Sequence, residues 1–519
     1  MKTLASYLCG EWRVGSAPMA TLVNPVTEEP IAQCSTAGID LKAALAYGRD
    51  VGGPVLRNMT FAERGALLKR MSTALHEARE ELIELSIDNA GATRGDAKFD
   101  VDGGIGTLAF YAKLGESLGD KKFVVEGAGE TLLRSPRFAG YHVRLPRTGV
   151  AVHINAFNFP VWGFAEKAAC ALLAGVPVIS KPATSTALPA FRAVELVIAK
   201  ANVPRGVLQL VCGGVADLLD GLLPEDVLAF TGSADTGAKL RSARAVVERS
   251  VRLNVEADSL NAAVLGPDVE PGSEAWHLFV RHTVTEITQK SGQKCTATRR
   301  ILVPRARLEQ VQAALVEKLT AVRVGDPRNE GIDMGPLATQ QQHNDAQRGL
   351  ALLVGDGARI VCGGVVPEGK GFFLTPTLLR HDTPMSAKVV HAHEVFAPVS
   401  TLMPYLDAGE AAKLVARGEG SLVAGVYSDD KVFLEEMIFA CAPWSGRLVI
   451  GSTKVADTGC TPGMVLPSCV HGGPGRAGGG EELGGERGLH FYTQRTAIQG
   501  DRALLDRILG APKTADAAS

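Results

Sequence analysis

The sequence has no apolar run long enough to cross a membrane, no Cys-x-x-Cys pair and no surplus of charge of either sign. Its longest apolar stretch, Ala168 to Ile179, contains Pro177 and falls far short of the roughly 20 residues that a membrane span requires. A formal net charge of −2 provides no field for drawing in nucleic acid or an anionic membrane, so neither partner is expected. The first ten residues are too weakly apolar for a secretory signal, and bulky Tyr7 and Leu8 argue against a lipid on Cys9. The nine cysteines are odd in number and scattered, which excludes a disulfide scaffold and a clustered zinc site and points to a reducing cytoplasm. His391 and His393, alternating as on a strand beside Glu394, resemble a metal corner, but a third strong ligand is missing nearby and no metal is expected.

What is present is apolar material for a large core, 46% of the residues, in a length that suits about three structural units. From Gly149 the pattern alternates. Strands are expected at Val150–Ile154, Val176–Ser180, Val207–Val211, Val227–Phe230 and Val251–Val255, and helices at Val161–Leu173, Ala187–Lys200 and Ala238–Glu248. That order implies an open parallel sheet with helical crossovers, an α/β nucleotide-binding architecture. A second α/β block follows, with helices at Trp276–Gln289 and Leu308–Val322 and strands at Arg300–Val303, Phe372–Leu379, Val399–Pro404 and Leu422–Tyr427. A cleft between the two blocks is expected. Lys121–Arg147 reads as a long hairpin that needs a partner to cover it, Gly472–Gly488 as a loop, and the tail after Ala511 as frayed.

Cys295 differs from an ordinary core cysteine because its setting, Ser291-Gly-Gln-Lys-Cys295-Thr-Ala, is polar and contains glycine. Lys294 either lowers the thiol pKa or points to solvent. Asn158 lies where a strand hands over to a helix, placed either to donate to a developing oxyanion or to cap the helix. Thr231, Gly232 and Ser233 follow the next strand and suit phosphate or nicotinamide contact.

The ordered set Asn158-Phe-Pro, Lys181-Pro-Ala, Phe230-Thr-Gly-Ser233, Glu256, Gly292-Gln-Lys-Cys295 and Glu394-Val-Phe396 resembles the aldehyde dehydrogenase superfamily across nearly the whole chain. The resemblance implies a Rossmann-like cofactor domain (1–120 and 148–257), an α/β catalytic domain (258–470) and a β oligomerisation flap (121–147 and 488–505), whose returning strand would be Leu489–Ile498, in a homodimer. It implies Cys295 as nucleophile, Asn158 as oxyanion donor and Glu256 as base for hydrolysis. Lys181, Thr184, Gly214, Thr231, Gly232, Ser233, Glu394 and Phe396 would hold the cofactor. Lys167 and Glu482 match a proton exit, with a solvated salt bridge as the plainer alternative. The usual Glu-Leu-Gly-Gly-Lys appears as Glu256-Ala-Asp-Ser-Leu260, and Ala397 replaces a usual glycine. Thr184 stands where the superfamily often has a glutamate that repels a 2′-phosphate, so NADP is expected over NAD. His471-Gly-Gly-Pro-Gly-Arg476, Glu256–Asn261 and Tyr492–Gly500 resemble dehydrogenases of aerobic aromatic degradation through CoA thioesters. The implied substrate is a CoA-tethered semialdehyde in a long, apolar, open tunnel, with no fused hydratase domain. The rivals are a broad-range aliphatic aldehyde dehydrogenase, a CoA-acylating one and a non-catalytic protein on the same fold.

Overall fold

The computed structural model of the chain describes residues 1–510; the expected fraying after Ala511 lies outside the described residues. Two seven-stranded sheets carry the structure. In the first, the strands run in the order Arg252–Glu256, Val227–Thr231, Ala151–Ile154, Val178–Lys181, Leu208–Leu210, Ser6–Leu8 and Glu11–Arg13. The first five are mutually parallel and the last two add antiparallel. Starting from Ala151–Ile154 the chain builds two strands outward on one side, then crosses to the other side for Val227–Thr231 and Arg252–Glu256. This reversal creates a crevice at the carboxyl ends of Ala151–Ile154 and Val227–Thr231, where open α/β sheets receive ligands.

The helices between these strands form for local reasons. Pro160–Ala174 has Pro160 in its first turn and ends at Gly175 with φ +94, and its alanine-rich body is buried nearly all round. Its first turn is capped from outside: the Asp100 carboxylate accepts from Val161 N (3.3 Å) and Trp162 N (2.8 Å). Asn158 is therefore not the cap. The helix expected over Ala238–Glu248 is two, Ala234–Arg241 and Arg244–Arg249. The first is capped by Ser233, whose Oγ accepts from Thr236 N at 3.3 Å.

The second sheet runs Arg359–Cys362, Thr377–Arg380, Val399–Tyr405, Arg300–Pro304, Ala262–Leu265, Ser421–Tyr427 and Ser445–Gly451. The strand expected from Phe372 is confined to Thr377–Arg380, because Phe372 bonds instead across to Leu337 and to Pro25 in the N-terminal segment. A third sheet joins Val124–Thr131 and Phe138–Pro146 to Thr493–Asp501, which pairs antiparallel along its full length with Phe138–Pro146. This is the expected hairpin with its returning strand. The strand starts later than expected, since Gly485–Tyr492 winds as 3-10 turns. The glycine-rich tract is also more ordered than a loop: Val470–Gly472 and Glu481–Leu483 form an antiparallel ribbon. Gly472, at φ +138, is required there, because a Cβ would stand 2.0 Å from the Gly480 carbonyl oxygen.

Helices Phe61–Glu77, Arg79–Ala90 and Arg94–Leu118, with strands Lys2–Leu4, Ala20–Val23 and Pro30–Cys34, complete the N-terminal part. His391 lies in a 3-10 turn rather than a strand, buried, with its ring nitrogens near Arg300 Nη1 (3.3 Å) and Pro384 O (3.0 Å). It packs rather than ligates. All nine cysteines are free.

Candidate active site

A cleft of about 990 Å³ opens at the crevice of the first sheet, bordered on the other side by Cys295 and by residues between Gln342 and Phe396. Lys181, Thr184, Thr231, Gly232, Ser233, Glu394 and Phe396 all line it, together with Asn158, Glu256 and Cys295. Lys181 is buried, which lowers its pKa, and its ammonium makes no hydrogen bond or ion pair among the described residues. Thr184 begins the turn after strand Val178–Lys181 and donates to Gly213 O at 3.3 Å. Gly214 lies outside the lining, its carbonyl accepting from Thr36 Oγ1 at 3.1 Å. Glu394 is held by Arg299 Nε (3.2 Å) and the backbone N–H of Ser259 (3.1 Å); burial still pushes its carboxyl up to about 8. Phe396 meets Phe157 edge-on at 5.8 Å, with the Arg299 guanidinium over its ring. Asp345, Arg348 and His393 also border the cleft. Sequence reasoning missed Asp345 and Arg348, because nothing local marks them as facing it, and weighed His393 only as part of a metal corner.

Cys295 sits at the inner end. Its loop is reached through Lys290, Ser291 and Gly292, all with positive φ; a Cβ on Gly292 would come within 2.3 Å of Ala397 O. Asn261 fixes the loop by donating from Nδ2 to the carbonyls of Cys295 (2.7 Å) and Ala297 (2.9 Å). Asn158 Nδ2 donates to Gln293 O at 3.0 Å, which turns the amide toward the thiol's loop. Lys294 fits neither expectation: fully buried, it points away from the thiol to Glu286 Oε2 (2.8 Å) and Gln289 Oε1 (2.7 Å). Burial first, and the Glu256 carboxylate second, push the Cys295 thiol well above its usual value.

Glu256 ends strand Arg252–Glu256 and keeps its place despite the altered residues that follow. Asp258 pairs with Arg476, and Ser259 Oγ donates to Asn261 Oδ1 at 2.7 Å, so the changed loop is tied down by new partners. The carboxylate accepts from Thr231 Oγ1 (3.3 Å) and faces His471 Nε2 (3.4 Å). Burial would raise its pKa, but its pairing with His471, with Lys167 beyond it, outweighs burial and draws it down to about 2. His471 was quoted only for its motif, yet one ligand atom from each of Glu256, Cys295 and His471 falls within 4.8 Å of the others.

Lys167 and Glu482 meet at 3.2 Å, both buried, so a solvated salt bridge is ruled out. Glu166, also missed from sequence, lies 3.2 Å from the same ammonium. Burial alone would lower the Lys167 pKa; Glu482 and Glu166 reverse this and raise it. Burial dominates for the carboxyls, raising Glu482 and bringing Glu166 to about 7. Oxygens of Glu166, Glu256 and Glu482 lie within 4.8 Å of one another, a continuous acidic path from the thiol's neighbour to Lys167.

On the other side of Cys295 the expected roomy tunnel is a cavity of about 40 Å³. Its lining mixes aromatic with polar and charged residues, Glu166, Lys167, Glu256 and His471 among them, and Phe99, Phe159 and Trp162 stack edge to face at 5.2–5.9 Å and fill the space.

This fold recurs in known proteins. An NAD+ complex of an aldehyde dehydrogenase from Bacillus cereus shares the fold with a TM-score of 0.83 at 24% identity, covering 96% of this chain and 97% of that one. Betaine aldehyde dehydrogenase from Staphylococcus aureus does so at 0.83 and 22% identity over the full length of both. The sequence model of the aldehyde dehydrogenase family matches residues 12–498. The chain belongs to the aldehyde dehydrogenase family and is an oxidoreductase. It is 45% identical over 478 residues to a 3,4-dehydroadipyl-CoA semialdehyde dehydrogenase of Aromatoleum evansii, covering 91% of this chain and 93% of that relative. No helix among the described residues is long and apolar enough to cross a membrane.

Proposed function

We propose that the chain oxidises a CoA-tethered semialdehyde, 3,4-dehydroadipyl-CoA semialdehyde or a close analogue, to the free carboxylate at the aldehyde end, in the aerobic breakdown of benzoate-like aromatics. The substrate is supported by the 45% identity to the Aromatoleum evansii enzyme. The reaction type is carried by one observation: Cys295 and a buried carboxylate, Glu256, line the same cavity. A carboxylate there serves water rather than free CoA, because transfer to a thiol needs no such base.

The Cys295 sulfur adds to the aldehyde carbon, and the oxygen's developing charge is taken by Asn158 and the Cys295 backbone N–H. When bound, the nicotinamide nucleotide supplies the hydride acceptor. Glu256 then draws a proton from water as the water attacks the thioester carbon, and Glu482 takes that proton onward beside the Lys167 ammonium, which holds it in place. Lys181, free of partners in the cleft, and the neutral Thr184 suit a 2′-phosphate, so NADP is the favoured cofactor; NAD remains the second choice. Ser233 and the start of helix Ala234–Arg241 suit the phosphates. Phe396 and Glu394 would border the nicotinamide ribose. The three-stranded sheet of Val124–Thr131, Phe138–Pro146 and Thr493–Asp501 exposes Leu145, and the turn that joins its first two strands exposes Leu132 and Leu133; we assign this flap to a homodimer contact.

The cavity of about 40 Å³ favours one second reading, a broad-range enzyme for small free aldehydes. Catalytic efficiency on 3,4-dehydroadipyl-CoA semialdehyde and on a free aldehyde of equal chain length separates the two. The proposal expects a preference for the CoA substrate in kcat as well as KM, because remote binding energy orients the reacting carbon. Equal efficiencies would refute it.

A further inference from the structure

His471 occupies a position that the reaction as described does not use. It lies on strand Val470–Gly472, is 3% exposed, and borders the cavity beside Cys295. Its Nε2 stands 4.0 Å from Cys295 Sγ and 3.4 Å from Glu256 Oε1, while Nδ1 has no hydrogen-bond partner. A buried imidazole with one nitrogen orphaned is costly, so the other nitrogen's position between an acid and a base is the feature to explain. The rest of the surroundings narrows the explanation. Asn158 is a donor, Lys294 is turned away, and Glu256 Oε2 is engaged by Thr231. His471 Nε2 stands within hydrogen-bonding distance of Sγ, with the Glu256 carboxylate as the other acceptor beside the thiol.

One nitrogen facing both groups has a mechanistic consequence. Nε2 cannot donate to Glu256 and accept from the thiol at once, so the location of a single proton couples nucleophile and base. Resting on the reading of Cys295 as nucleophile, we propose that His471 is a catalytic group of the first half-reaction: Nε2 takes the Cys295 thiol proton, and the imidazolium stays between the thiolate and the Glu256 carboxylate. The S–H bond breaks with its electron pair left on sulfur, and an N–H bond forms at Nε2. Sulfur then adds to the carbonyl carbon. Glu256, not having received that proton, remains a carboxylate for the attacking water. When the thioester C–S bond breaks, its electron pair returns to sulfur and the imidazolium gives the proton back.

The groups that set the imidazole's charge come from every neighbouring element. They are Glu256 at its strand end, Cys295 in its loop, Glu166 and Lys167 from helix Pro160–Ala174, Arg447 from strand Ser445–Gly451 and Glu482 from the adjacent strand. The carboxylates favour the charged imidazole, and Arg447 opposes it.

The test is the pH profile of Cys295 alkylation by iodoacetamide in the full-length enzyme, beside the burst of reduced cofactor. In His471→Gln the alkylation rate at neutral pH should fall on the order of 10²-fold, recover toward the parent rate at alkaline pH, and slow the burst in parallel. In His471→Ala, added imidazole should restore the neutral-pH rate. An unshifted profile, or a loss uniform at all pH values, would overturn the proposal, since a merely structural role lowers the rate without moving its pH dependence. Should neither variant bind cofactor, and so not be folded, the native enzyme decides: alkylation must follow two ionisations, and a single thiol ionisation refutes the role. Failure of Cys295→Ala to abolish turnover would instead sink the nucleophile assignment itself.

Discussion

Glu482 is the register partner of His471 in the antiparallel ribbon formed by Val470–Gly472 and Glu481–Leu483. Directly opposed residues of an antiparallel pair point to the same face. The carboxylate that meets Lys167 and the imidazole that meets Glu256 and Cys295 are thereby delivered by one short element. Asn254 Nδ2 adds a 3.1 Å bond to Glu482 Oε1, tying the ribbon to the strand that ends in Glu256. Proton chemistry on both sides of Glu256 therefore rests on this ribbon, and the predictions below probe its members and their neighbours.

Glu256→Gln should leave the first hydride transfer intact and arrest the enzyme as a thioester. The amide cannot take a proton from water, so steady turnover should fall by roughly 10²-fold or more. Stopped-flow absorbance should show one equivalent of reduced cofactor, and mass spectrometry an acylated Cys295. Multiple turnovers at the parent rate would mean that another base serves.

Asn158→Ala removes the side-chain donor proposed for the oxyanion while leaving the helix cap, supplied by Asp100, in place. The expected loss is about 10²–10³ in kcat with little change in cofactor affinity. A change confined to KM would assign Asn158 to ground-state binding.

Thr184→Glu should reverse the cofactor preference. A carboxylate at the start of that turn would accept from a ribose 2′-hydroxyl and repel a 2′-phosphate near Lys181. The ratio of kcat/KM for NADP over NAD should fall by at least about tenfold. Retention of the parent ratio would show that Thr184 does not face the 2′-position.

Glu166→Gln tests the buried acidic path through stability. The folded-state Glu166 carboxyl is raised to about 7 by burial, above its unfolded value of 4.5. A raised group contributes stability that is complete below the unfolded pKa and is lost as pH climbs through the folded one. The variant lacks this loss, so its stability relative to the parent should improve between about pH 4.5 and 7, by an amount of order 3 kcal/mol at most. Thermal melts across that window check it; a difference independent of pH would mean that Glu166 is not buried as a carboxyl.

Much of the fold was legible because the relevant patterns are local. The alternation from Val150 to Val255 follows from periods of two and 3.6 residues, and the observed strands and helices differ from the expected ones mainly at their ends. The exceptions share a cause. Phe372 reads as strand from its own neighbourhood but bonds across to Pro25 and Leu337, and the tract after Val470 reads as loop because glycine hides the pairing of Val470–Gly472 with Glu481–Leu483.

The sequence by itself determined the parallel α/β order and the placing of Lys181, Thr231 and Glu256 at strand ends, since each depends on residues a few positions apart, while Cys295 was singled out as candidate nucleophile by the order of its motif among the others. Tertiary structure alone decided the rest. Lys294, next to the thiol in sequence, turns into the core because Glu286 offsets the cost of burying its charge. Glu166 and Lys167 became buried partners of Glu482, more than 300 residues away in sequence. His471 reaches Cys295 across a separation of 176 residues. Periodicity carries no information at that range. Only the packing of the ribbon against the end of the first sheet brings an imidazole, a carboxylate and a thiol into one cavity.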